Sequence, residues 1–324
     1  EEALERRQAL LGPGHPSVAE TLGRLGQLYY WSGDHTRARE ALVRAVEIQE
    51  AALGPEDPAV AGSLTTLGWI VWRTGDHAAA QVHLERALAI QEKAWGPDHI
   101  AVSNALYFLG VVALDQDDFG RARSVLQRAL AIREEALGPD HPQAGWALHE
   151  LGHVELRAGN RETARPLLER ALAVQEKAYG PDHLVVAFPV TKLADIHSVE
   201  GERQRADALF ERSLAIRENA LGPDHPDLTW TLRPWAGHLA RAGEPERARQ
   251  VIERALAIAE RAFGPEGLEV SYCLLAWALL ELGEGQYERA GTLLERTLAI
   301  QRNLYGPRDA VVGRSLYNLS LIHI

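Results

Sequence analysis

The segment His149-Glu150-Leu151-Gly152-His153 puts two imidazoles four residues apart with a carboxylate beside the first. On a helix both imidazoles fall on one side, where they could hold a zinc ion while Glu150 acts as general base toward a metal-bound water. The sequence around the segment weakens that reading. A third histidine ligand in the extended form of the motif would stand at position 159, which is Gly159, and the glycine before it would stand at 156, which is Leu156. A carboxylate ligand such as Glu169 would come from the following helix. Leu151 and Gly152 also have a second explanation, given below. Zinc-dependent hydrolysis through His149 and Glu150 is therefore the alternative reading. The expectation is a protein that is not an enzyme, with no catalytic residue, no metal and no cofactor.

Other residues capable of chemistry are fewer than their numbers suggest. His15, His99, His141, His183 and His225 share one loop position, and Asp57 and Asp309 take their place in two copies. At that position a side chain can cap the helix that follows. No glycine-rich loop has phosphate-binding spacing, since "GPGHP" lacks the lysine and the interval. Cys273 is the single cysteine, so no intrachain disulfide can form, and a reducing, cytoplasmic compartment is expected. It falls beside an apolar stripe and reads as a buried, inert thiol.

These groups stand on a chain of 324 residues, 46 % hydrophobic and 24 % charged, with net charge −11. That balance describes a folded chain and argues against nucleic acid or an anionic membrane as partner. No run of 18 apolar residues occurs. The absence of any methionine, half-repeats at both ends and the closing "SLIHI" lead to the expectation of an excised fragment, and no function is assigned to His323 or Ile324.

The elements that must position any site follow from a single period. Gly-Pro pairs begin at 12, 54, 96, 138, 180, 222, 264 and 306, every interval being 42 residues. Ala38, Ala80, Ala122, Ala164, Ala206, Ala248 and Ala290 keep the same interval. So do Gly26, Gly68, Gly110, Gly152, Ala194, Ala236 and Ala278, followed by Ser320. Each repeat reads as two helices. The first opens near Pro16, Pro58, Pro142 or Pro226, where a missing N–H costs nothing, and carries a stripe such as Val18, Leu22, Leu25 and Leu28. It stops near Gly33, Gly75, Gly159, Gly201, Gly243 and Gly285. Asp34, Asp76, Asp118 and Asn160 then read as N-caps of the second helix, whose buried side holds Ala38, Leu42, Ala45 and Ile48. That helix ends at a glycine expected in the left-handed conformation, with proline blocking continuation. The expected organisation is one solenoid: a half-unit at 1–13, seven full units over about 14–307 and a half-unit at 308–324.

The small residue after Leu25, Ala38, Ala45, the 42-residue length and the "ALGPDHP" linker resemble the tetratricopeptide repeat in its kinesin-light-chain-like form. The resemblance implies an all-α, right-handed superhelical solenoid of antiparallel helix pairs. It implies a scaffold or sensor module that binds a protein or extended peptide in a concave groove lined by the first helices. Similar arrays occur in larger bacterial regulatory proteins. A structural spacer that self-associates through uncapped ends is a further alternative.

The groove positions implied by the resemblance are not the plain polar residues that a merely solvated face would carry. The position of Glu20 reads Gly62, Asn104, Trp146, Phe188, Trp230 and Tyr272 in later repeats. Tyr30, Trp31, Trp69, Trp72 and Tyr107 add aromatic surface, and Arg73, Arg157, Arg233 and Arg241 add cations. His149 and His153 belong to the same face. Where relatives of this form carry a row of asparagines, this chain reads Gly23, Thr65, Tyr107, His149, Thr191, Arg233 and Leu275, so Asn104 alone is left to bind a peptide backbone. Recognition is expected to rest on ring stacking and guanidinium pairing, which suits an acidic-aromatic segment. Pro189 and Pro234 fall inside first helices, each with an expected cost of about 3 kcal/mol.

Overall fold

The computed structural model describes residues 2–32, 34–306 and 310–320. The expected helix stop at Gly33, the side chain of Trp31, Pro307, Asp309 and the end at 321–324 lie outside the described residues. Among the described residues there are sixteen α-helices and no strand. They form two compact units, residues 1–139 and 140–324. The first unit holds α1 (Glu2–Leu11), α2 (Pro16–Trp31), α3 (His35–Leu53), α4 (Pro58–Arg73), α5 (His77–Trp95), α6 (Val102–Asp115) and α7 (Phe119–Leu137). The second holds α8 (Pro142–Arg157), α9 (Arg161–Tyr179), α10 (Ala187–Val199), α11 (Arg203–Leu221), α12 (Thr229–Arg241), α13 (Pro245–Phe263), α14 (Leu268–Gly283), α15 (Tyr287–Tyr305) and α16 (Ala310–Ser320).

From α2 to α15 the even-numbered helix of each pair is the first helix of a repeat and the odd-numbered one is the second. Within a unit, consecutive first helices run against one another, while consecutive second helices are held apart. The first helices therefore make the inner wall of each stack. The periodic small residues let the two helices of a repeat meet: a Cβ on Gly110 would lie 2.4 Å from Leu126 Cγ, and one on Gly152 2.6 Å from Leu168 Cγ. Leu42, Leu84, Leu126 and Leu168, the matching positions of the second helices, are fully buried.

The capping expectations can be checked bond by bond. Nδ1 of His15, His141 and His225 each accepts a backbone N–H two residues on at 3.2 Å, and His99 and His183 do so at 3.3 Å. Asp57 accepts in the same way at 2.8 Å. Asp34, Asp76 and Asp118 cap α3, α5 and α7. Asn160 does not cap α9, because its amide donates instead to Glu155 Oε2 at 2.8 Å. The glycine closing each second helix has positive φ, but not the left-handed helical conformation expected. Gly54 has φ 93 and ψ 154, a mirror-image extended conformation that is open essentially to glycine alone. In the turn after the first helix Asp117 replaces the usual glycine and adopts φ 61.

The proline costs also need correction. Pro189 is the third residue of α10, following a 3-10 turn over Leu184–Val186. First-turn N–H groups have no intrahelical acceptor, so no bond is lost there. Pro234 sits in the interior of α12, as does Pro166 in α9, which the sequence reading passed over.

A device on the outer side joins consecutive repeats. Arg254 donates to Glu218 at 2.6 Å and to the carbonyl of Pro223 at 2.8 Å. Arg212 repeats this with Glu176 and Pro181, and Arg296 with Glu260 and Pro265. Arg86 and Arg128 do the same in the first unit. Each arginine thus fastens the glycine-proline loop of the preceding repeat.

Candidate functional site

In residues 140–324 the expected aromatic positions come together. Trp146 of α8 and Phe188 of α10 have ring centroids 5.3 Å apart, and Phe188 and Trp230 of α12 are 5.5 Å apart. All three rings are half-buried, neither sealed in the core nor free in solvent. Tyr272 of α14 lies under the guanidinium of Arg233 at 5.2 Å, and Arg233 pairs with Glu269 at 3.6 Å.

Beneath these rings is a residue that the sequence reading missed. Arg217, on the second helix α11, is 1 % exposed. Its guanidinium carbon lies 4.5 Å from the Phe188 ring centre and 5.7 Å from that of Trp230. Nε donates to Thr231 Oγ1 at 3.0 Å, while Nη1 has no protein partner. Burial lowers its pKa to about 10, opposed by Asp227. Arg133 of the first unit has the equivalent position: it is buried, donates to Asn104 Oδ1 at 3.0 Å and lies 4.8 Å from the Tyr107 ring. The other second helices have Gln49, Gln91, Gln175, Ala259 and Gln301 there. A polar residue recurring inside an apolar stripe was the available signal.

In residues 1–139 the aromatic set is knitted differently. Trp69 packs between Tyr30 at 4.7 Å and Phe108 at 6.4 Å, and Tyr107 meets Phe108 edge-on at 5.1 Å. Tyr30 is buried, and its hydroxyl accepts from Arg73 Nε. Trp72 donates to Asp115 at 2.6 Å. Asn104 is exposed apart from its bond to Arg133.

The histidine pair belongs to the wall of the second unit. His149 is 3 % exposed, and its Nδ1 has no partner. Burial, helped by the positive charges of Lys192 and Arg217, pushes its pKa down to about 3 against the pull of Glu150. His153 is half-buried, and its Nε2 lies 3.1 Å from Lys192 Nζ. Burial comes first in holding it well below the usual histidine range, with Lys192 and Arg157 acting in the same direction. A zinc ion would need that nitrogen and would meet the ammonium already there. Among the described residues a three-ligand metal geometry occurs instead at His197, Glu200 and Glu202. There Glu200 pairs with Arg165, and Glu202 pairs with Arg205 and His197, so the charge is already answered.

Arg241 is exposed and donates to Ser198 Oγ at 2.7 Å. Ser198 also meets His238 Nδ1 at 2.8 Å, and His238 Nε2 meets Asp207 at 3.2 Å. This serine–histidine–aspartate line is buried at Ser198 and His238, and it ties Arg241 to α11. Cys273 is buried as expected, its thiol pushed up to about 12 by burial. No helix among the described residues is long and apolar enough to cross a membrane.

Comparison with known proteins agrees with this architecture. Tetratricopeptide repeat models match residues 17–93, 80–135, 101–177 and 144–198, and a second such model matches 191–227 and 239–268. No curated protein sequence matches. A putative kinesin light chain from Podosopora anserina with nearly identical TPR-like repeats is 27 % identical, with 64 % of this chain and 97 % of that chain covered and a TM-score of 0.53. BtubC (BKLC) from P. vanneervenii is 21 % identical over 70 % of this chain and 91 % of that one, at a TM-score of 0.55. Aspartyl phosphate phosphatase F from Bacillus subtilis is 14 % identical over 94 % of this chain and 75 % of that one, at 0.68. The last two are likenesses of fold.

Proposed function

Because the chain belongs to the tetratricopeptide repeat family, in its kinesin-light-chain-like form, we propose that it is a protein-interaction scaffold that holds an extended, acidic-aromatic segment of a partner along the inner wall of residues 140–324. The observation that carries this reading is the run Trp146–Phe188–Trp230, three half-buried rings each in contact with the next, one per repeat. Rings in fixed, partly desolvated positions offer stacking surface without an ordering cost on binding. Arg217 lies beneath Phe188 and Trp230, and Lys192, Arg233 and Arg241 of α10 and α12 add a strip of cations to this wall, interleaved with Glu150, Asp195 and Glu269. Such a strip draws in an acidic segment and sets its register. In a larger bacterial regulatory protein the same wall would serve as a sensor.

The test is a fluorescence binding assay with acidic-aromatic peptides on the parent, Trp230→Ala and Arg233→Ala. Removing the ring should weaken binding by about 2 kcal/mol, roughly 30-fold. Removing the charge should slow association and reduce its salt dependence. Equal affinities for all three proteins would refute the inner wall as the binding face.

A further inference from the structure

The 34 basic residues other than histidine include only three lysines: Lys93, Lys177 and Lys192. Two are on the outer side, where Lys93 pairs with Glu56 and Lys177 with Asp140, with side chains 66 % and 70 % exposed. Lys192 is different in every respect. It projects from α10 on the inner wall, is half-buried, and has an imidazole rather than a carboxylate as its close partner.

A carboxylate stands near the far nitrogen of that imidazole. His153 Nε2 is 3.1 Å from Lys192 Nζ, and His153 Nδ1 is 3.6 Å from Glu150 Oε2. Glu150 favours the tautomer with the proton on Nδ1, which leaves the Nε2 lone pair aimed at the amine. Carboxylate, imidazole and amine thus follow one another at 3.6 Å and 3.1 Å, in the order that activates a weak nucleophile. The groups facing Lys192 come from three helices: Glu150, His153 and Arg157 of α8, Asp195 of α10 and Arg233 of α12. Burial is the largest influence and lowers the lysine pKa. Arg233 and Arg157 act with it, and Asp195 and Glu150 oppose it.

We propose that Lys192 is a site of covalent acylation, taking the acyl group of a thioester, with His153 as the base and Glu150 as its positioning residue. The amine nitrogen attacks the thioester carbonyl, the new N–C bond forms and the C–S bond breaks. The proton lost from Nζ passes to His153 Nε2 and then to the departing thiolate, leaving an amide and a free thiol. The product is neutral, so one acyl group removes a cation from the strip proposed to hold an acidic partner. The acylation itself does not depend on that partner.

The experiment incubates the full chain with S-acetyl-N-acetylcysteamine at pH 7.5 and follows each lysine by mass spectrometry, with Lys93 and Lys177 as internal controls. Lys192 should acylate at least 10-fold faster than either control in the folded protein. The advantage should vanish in 8 M urea, and His153→Asn and Glu150→Gln should each reduce it. A Lys192 rate equal to or below the controls in the folded chain overturns the proposal. So does an advantage that persists in urea, or one untouched by His153→Asn in a variant whose helical circular dichroism matches the parent.

Discussion

Protonation of His149 gives a sharp test of how the inner wall of the second unit is built. The ring is 3 % exposed, lies 6.0 Å from the Phe188 ring centre, and has no hydrogen-bond partner on Nδ1. Burial and the nearby cations lower its pKa from 6.5 to about 3. A base with a depressed pKa in the folded state binds fewer protons there than in the unfolded chain. Its neutral form is therefore compatible with full stability above pH 6.5, and stability falls as the pH drops from there toward 3. The loss is about 1.4 kcal/mol per pH unit, so at pH 4.5 it reaches about 2.7 kcal/mol. Asp195, raised to about 6 by burial, acts in the opposite sense, since it disfavours the folded state as pH rises from 3.8 through 6. The remedy is a difference between two proteins. His149→Leu removes the titration and installs the residue that Leu275 already supplies at this position in a later repeat. Urea unfolding of parent and variant at pH 7.5 and 4.5 should show the parent losing about 2.7 kcal/mol more than the variant on acidification. Equal losses would mean that the imidazole is protonated in place, and the packing described around it would be wrong.

Two further outcomes concern stability. Asp117 has φ 61 where the other described repeats of this turn use glycine, so Asp117→Gly should raise the unfolding free energy measured in urea by about 1 kcal/mol, and an unchanged or lower value would show that its side chain contributes more than the backbone conformation costs. Arg254→Ala should cost about 1 kcal/mol and speed amide exchange in the preceding loop around Pro223, because it removes both the Glu218 pair and the carbonyl bond, and an exchange pattern identical to the parent would refute the fastening role.

The sequence by itself determined what depends on near neighbours. The 42-residue interval, the helix pairs, the histidine and aspartate caps and the burial of Cys273 are all written in periodicity and capping residues, whose effects reach only a few positions along the chain. The first-helix aromatics were legible for the same reason, because identical phases on stacked helices must line up. Tertiary structure decided which of the available partners each side chain takes. Asn160 has a cap residue's identity, but Glu155 takes its amide. The two histidines of the zinc-like segment have the spacing for a metal, but Lys192 comes from the next repeat to His153. Arg217 reads as an ordinary charged residue on an amphipathic helix, yet it is buried under Phe188 and Trp230. A helix surface fixes the direction in which a side chain leaves the backbone. Where its end comes to rest depends on the distance to the neighbouring helix and on what that helix presents, and the residues of one repeat do not specify either.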